Sequence, residues 1–264
     1  MNDAHDAGLA HDLKILNALA GRRQVLRWMA GASLLPLIGC GAASTGGTLI
    51  TATDGGTCAT IPEETQGPFP GDGSNGAKAL ALSGIVRSDI RTSLGSATGT
   101  AEGIPLTVKL TLVNTNGGCA LLSGYAVYVW HCNRDGKYSM YDLTDQNYLR
   151  GVQETDANGQ VTFLTSFPGC YSGRMPHIHF EIYPSAAKAT SSANKLNTSQ
   201  LALPTDICNA VYATTGYGAS VTALASTSFA KDMVFSDGTG QQLTRVTGSV
   251  ADGYVASLIV GVGA

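Results

Sequence analysis

The stretch YLRGVQETDANGQVTFLTSFPGCYSGRMPHIHFEIY, residues 148–183, decides how the chain is read. Asp156-Ala157-Asn158-Gly159 is a strong turn signal, and QVTFLTSF (160–167) after it reads as a strand. Pro168-Gly169 marks a second turn, and HIHFEIY (177–183) reads as another strand. Side chains on a strand alternate between faces, so His177 and His179, two apart, point the same way and can reach one ion. An isolated His-x-His reads as readily as two buried, hydrogen-bonded core histidines.

Outward from this stretch the pattern stays β. LTVKLTLVN (106–114) alternates apolar and polar residues as a half-buried strand does, and GYAVYVWHC (124–132) is a longer β-rich run closed by Asn133-Arg134-Asp135-Gly136. TRVTGSV (244–250) and YVASLIVGV (254–262) end the chain. Strong helical periodicity is missing after residue 57. The expected fold is therefore all-β: one antiparallel β-sandwich over 58–264, with long irregular loops around 185–200 and 212–228. At 264 residues the chain is long enough for a large core. Its net charge of −3, with no Lys/Arg block in the body of the chain, argues against nucleic acid as a partner.

Three residues near the histidines add to them. Tyr171 lies six before His177, Arg174 sits between, and Tyr138 closes the loop NRDGKY after the 124–132 run. A phenol titrates near ~10 in water, and a trivalent cation deprotonates it on binding. Anionic oxygen with imidazole nitrogen suits Fe(III) better than zinc or copper(I). Taken singly, each tyrosine is as well explained as an ordinary core or rim aromatic, since the chain has ten.

Taken together these runs resemble one family. YAVYVWHCNRDGKYSMYD (125–142) resembles the segment that carries the first tyrosine ligand of the intradiol ring-cleavage dioxygenases. The 148–183 stretch resembles that family's core, and PEETQGPFP (62–70) is similar to its segment in which a Gly-Pro-aromatic lies near the catechol pocket. The resemblance runs from about Cys58 to the C-terminus. It implies one non-haem Fe(III) per chain on Tyr138, Tyr171, His177 and His179, with Tyr138 and His177 equatorial and Tyr171 and His179 axial. It also implies that Arg174 lies against the substrate ring, where the bland alternative is a surface salt bridge, and that Gln200 supports the site. The implied reaction opens a catechol with O₂ to a cis,cis-muconate, with Tyr171 leaving the metal to take a proton.

The sequence departs from the family pattern in three places. Cys170 precedes Tyr171 where a larger residue, often Trp, is expected, and its thiol is open to two readings: a pair with Cys132, or a place beside the iron site, where it is a liability. The gap from Tyr171 to His177 is short, as in secreted members. The helical N-terminal domain of cytosolic relatives has no counterpart, so dimerisation by that route is not expected. The resemblance implies the class of substrate, not its ring substituents. The alternatives are a non-catalytic extracellular β-sandwich binding module that keeps the metal site, and an extradiol-type centre with Glu181 as its carboxylate. The second leaves both tyrosines without a role.

Residues 1–39 read as a targeting segment: Arg22-Arg23 precede the apolar run SLLPLIG, which ends at Cys40 in a lipoprotein-like box. LKILNALAGRRQVLRWM (13–29) also has the spacing of an amphipathic helix. On the export reading the protein is periplasmic or extracellular, attached to a membrane through a lipid on Cys40, with 40–57 as a flexible linker. An oxidising compartment permits disulfides among Cys58, Cys119, Cys132, Cys170 and Cys208, and an odd number leaves a free thiol. Cys58 with Cys119 is the favoured pair, because each sits just before a segment leading into the core.

Overall fold

The computed structural model describes residues 58–264. The targeting segment, Cys40 and the linker at 40–57 lie outside the described residues. Among the described residues nine strands form two sheets: β1 (Pro105–Asn114), β2 (Ala120–Leu121), β3 (Ala126–Trp130), β4 (Arg150–Glu154), β5 (Gln160–Ser166), β6 (His177–Tyr183), β7 (Asn197–Ala202), β8 (Arg245–Ser249) and β9 (Gly253–Val262). One sheet runs β2-β1-β9-β8, with β5 also on β1, and the other runs β4-β3-β6-β7.

The expected all-β sandwich is observed, with one difference in direction. β9 lies parallel to β1, Leu106 opposite Tyr254 through Asn114 opposite Val262, while every other strand pair is antiparallel. A period-two pattern reports which face a strand buries but is blind to its direction, so nothing local in 254–262 could show this.

The core lies between the sheets. Leu106, Val108, Leu110 and Leu112 of β1 pack with Val127 and Val129 of β3 and with Ile178, Phe180 and Ile182 of β6. β1 is one-sided, its Thr107, Lys109 and Thr111 only partly buried, whereas every residue of β6 is buried. The second face of β6 is covered by a smaller apolar cluster that includes Leu80, Tyr128, Trp130, Tyr138 and Tyr183. This covered outer face of the four-stranded sheet holds the site.

Both stretches expected to be irregular contain regular structure. β7 occupies the end of the first. The second reaches into α1 (Thr205–Tyr212) and encloses α2 (Gly218–Ser226). The helices have eight and nine residues, and neither start has a side-chain cap bond, so neither carries a boundary signal. They pin the turn before Tyr171. The Tyr212 phenol donates to the Pro168 carbonyl at 3.1 Å and that of Tyr217 to the Phe167 carbonyl at 2.9 Å. Ser220 Oγ accepts from the Cys170 amide at 2.9 Å.

Cys58 and Cys119 are joined, as favoured. The bond closes a separation of 61 residues, for which loop entropy in the unfolded chain gives about 4 kcal/mol of stabilisation. The pair raised for Cys132 and Cys170 does not form. Both are buried thiols, as is Cys208, and Cys132 reaches the Gly169 carbonyl at 3.6 Å while Cys170 reaches that of Arg174 at 3.3 Å.

Candidate functional site

β6 supplies both histidines. The period of two that sends Ile178, Phe180 and Ile182 inward sends His177 and His179 to the outer face, and their Nε2 atoms are 3.1 Å apart. Each ring is held differently. His177 Nδ1 donates to the Met175 carbonyl at 2.6 Å, which leaves the lone pair on Nε2. His179 stacks on Trp130, its register partner on β3, with centroids 4.9 Å apart and planes 6° apart. Its Nδ1 has no hydrogen-bond partner among the described residues.

The tyrosines come from two loops. After β3 the chain turns at Asn133, whose Oδ1 accepts from the amides of Asp135 and Lys137 at 3.0 Å each. Gly136 adopts φ +76°, and a Cβ there would meet Tyr171 Cβ at 3.3 Å, so this loop and the Tyr171 loop pack backbone to backbone. Tyr138 Oη is 3.3 Å from Tyr171 Oη, which is 3.1 Å from His177 Nε2. Two donors each about 2.1 Å from one ion and at right angles are about 3 Å apart. The chain of four atoms therefore has the spacing of one coordination polyhedron.

Burial keeps the donor groups here in their neutral forms. Burial, with the charge of Arg174 next in size, holds His177 well below the usual histidine range. Burial, then His177, does the same to His179, so both rings are neutral. Burial pushes the Tyr138 phenol well up, and the Tyr171 phenol beside it adds to the effect. Tyr138 therefore becomes a phenolate at neutral pH only with positive charge in the site. Among the described residues no group of three or more His, Cys, Asp and Glu could hold a metal. The phenols are needed to complete a donor set, and two phenol oxygens with two imidazole nitrogens form one that fits Fe(III).

Arg174 is buried, not at the surface. Its Nε donates to both Asp232 oxygens, at 3.2 and 3.1 Å, and one Nη donates to Gln200 Oε1 at 2.6 Å. The surface salt bridge considered for it is thus a buried ion pair. Gln200 lies on β7 opposite His179, and its Nε2 donates to the Thr65 carbonyl at 2.8 Å. Glu181, the carboxylate of an extradiol-type centre, is engaged elsewhere. It accepts from the Tyr183 phenol at 2.6 Å and Lys195 at 3.1 Å.

The 62–70 segment closes the outside. Gly67 sits over His179, where a Cβ would be 3.4 Å from Cε1. Phe69 packs on Tyr138 and Tyr141 with centroids at 4.8 and 5.1 Å. Arg150, buried at the start of β4, ties this segment to the Tyr138 loop. It donates to the carbonyls of Phe69, Pro70 and Ser139, to Ser139 Oγ and to Tyr128 Oη. Arg150, Asp232, Ser220 and Trp130 were not singled out from the sequence. Only Arg150 had any signal, a charge next to the apolar Leu149.

No protein-family model matches the sequence, and no curated protein does. Among solved structures, the chain is similar to an intradiol ring-cleavage dioxygenase from Tetranychus urticae. The two share 26% identity with a TM-score of 0.61 over 78% of this chain and 95% of that one. A second similar structure is the dioxygenase Tetur07g02040, at 25% identity and a TM-score of 0.61, over 78% of this chain and 94% of that one.

Proposed function

We propose that this chain, an intradiol ring-cleavage dioxygenase by its fold and its structural relatives, binds one non-haem Fe(III) and opens a catecholic ring between its two hydroxylated carbons. The carrying observation is the run of contacts Tyr138 Oη, Tyr171 Oη, His177 Nε2, His179 Nε2, at 3.3, 3.1 and 3.1 Å. These four residues would hold the iron. Bound there, Fe(III) supplies a Lewis acid that both catechol oxygens can chelate and that makes the ring reactive toward O₂.

The remaining work falls to the protein. Tyr171 is only partly buried whereas Tyr138 is fully enclosed. Tyr171 Oη, deprotonated as an iron ligand would be, is thus the oxygen on the open side, suited to take a proton from an incoming catechol hydroxyl. The fixed charge of Arg174 stabilises electron density that builds on the ring. Phe69 and Tyr141 form an aromatic wall that limits water. Both oxygen atoms of O₂ enter the product, a cis,cis-muconate-type diacid.

The test is the visible spectrum of iron-loaded protein, before and after catechol is added without oxygen. A broad tyrosinate-to-iron band that shifts with catechol is expected, followed by muconate when oxygen is restored. Protein that stays colourless after reconstitution with iron overturns the assignment.

We also propose export by the twin-arginine segment at 22–23, with lipid on Cys40. The Cys58–Cys119 disulfide supports an oxidising compartment. Replacing Arg22 and Arg23 with lysine should retain the protein in the cytoplasmic fraction, and an unchanged distribution would refute it.

A further inference from the structure

Asp232 is wholly buried and serves no purpose the reaction above requires. Its carboxylate is saturated. Oδ1 accepts from Arg174 Nε at 3.2 Å and from the amides of Val234 and Phe235 at 2.8 and 3.3 Å. Oδ2 accepts from Arg174 Nε at 3.1 Å and from the Met175 amide at 2.5 Å. Three backbone donors fix the carboxylate to its own loop and to the residue after Arg174, so it is a rigid anchor.

The guanidinium is held from a second side by Gln200, which is itself tied to the Thr65 carbonyl. Two independent elements, β7 and the 232–235 turn, therefore set the plane of a planar, five-donor group. A guanidinium held only by its flexible stem would swing among rotamers and lose its aim. Met175 links the same anchor to the metal ligands, since its amide is bonded by Asp232 and its carbonyl by His177.

We propose that Asp232 is a positioning residue that orients Arg174 toward the reacting ring. This rests on the catechol-cleaving reading above. Loss of an outer-shell partner of this kind costs about 10–100-fold in activity.

The test uses the full-length, iron-loaded protein. Asp232→Asn keeps size and one acceptor oxygen but removes the charge and turns the other acceptor into a donor, and it is compared with Arg174→Gln and with the double variant. Expected is a kcat lowered about 10–100-fold in Asp232→Asn, with iron content and the catechol-induced spectral shift retained. In the Arg174→Gln background the same substitution should lower kcat less than ~2-fold, the non-additivity of groups acting as a unit. Equal losses in both backgrounds would show that Asp232 acts on the fold and not through the arginine, and would overturn the proposal. So would a wild-type kcat in Asp232→Asn.

Arg174→Lys gives a second check that leaves the Asp232 turn untouched. An ammonium cannot reproduce the fork held by Asp232 and Gln200, so it should lose about as much as Arg174→Gln, and near-wild-type turnover in it would refute the idea. Failure of the catechol reading would look different. The wild-type protein itself would then show no spectral shift and no turnover.

Discussion

β1 and β6 are both β-strands with alternating patterns, yet they live in different surroundings. β1 buries one face and leaves Lys109 and its neighbouring threonines partly in water, while β6 is buried on both. A strand covered twice has room for chemistry on the face that does not build the main core. On β6 that face carries His177, His179 and Glu181, in an apolar cluster where burial keeps the histidines neutral. The lesson is that the site is covered, except on the side of Tyr171, by a second, smaller core laid over the sheet by loops, chiefly 62–82 and 131–149.

The sharpest way to break this contrast is on the outer face of β6. His179→Ala should lower bound iron more than about 100-fold, beyond the cost of losing an outer-shell partner, as read by elemental analysis and loss of the visible band. Tyr171→Phe should keep iron and slow catechol binding in stopped flow. Full iron and full activity in the histidine variant would remove the metal site from this face.

On the inner face, Phe180→Ala should destabilise the protein by about 3–5 kcal/mol through the cavity it leaves. Ile259→Ala on the exposed face of β9, half exposed at 50%, should change stability by less than about 0.5 kcal/mol. Urea unfolding of the two variants gives the difference directly, and similar losses would refute the one-sided reading of that sheet. Removing the Cys58–Cys119 bond by Cys119→Ser should cost about 4 kcal/mol, seen as a lower Tm that reductant no longer shifts.

A smaller effect separates the site from the sheet junction beside it. His131, the residue after β3, donates from Nδ1 to the Cys132 carbonyl at 2.8 Å and accepts at Nε2 from Thr165 Oγ1 on β5 at 2.7 Å. Burial lowers its pKa from 6.5 to about 4. The folded protein thus binds this proton less readily than the unfolded chain. The stability it contributes is present above pH 6.5 and falls as pH drops toward 4, by on the order of 3 kcal/mol. His131→Asn should flatten that part of the stability–pH curve, and an unchanged slope would show that another group controls it.

Legibility followed the range of each signal. β1, β5 and β6 could be read because alternation and turn residues are local, and His177 and His179 because their spacing alone sets their face. Tyr138, Tyr171 and Arg174 were legible only through their surrounding runs, because a tyrosine alone is ambiguous. β4 and β7 escaped because RGVQE holds one strongly apolar residue, Val152, and NTSQLA opens with four polar ones, so neither shows the alternation that marks a half-exposed strand. Asp232 escaped because nothing in KDMVF distinguishes a buried anchor from a surface carboxylate.

By itself the sequence determined the all-β class, the shared face of the two histidines and the turns that bring the tyrosine loops round, since all of these follow from backbone periodicity and turn chemistry over a few residues. Only the tertiary structure decided that β9 runs parallel to β1, that Cys132 and Cys170 stay apart, and that Arg174 is clasped by Asp232, 58 residues away. Those outcomes depend on which surfaces meet once the sheets close on each other, and burial energy is a property of the assembled pair, not of either segment alone.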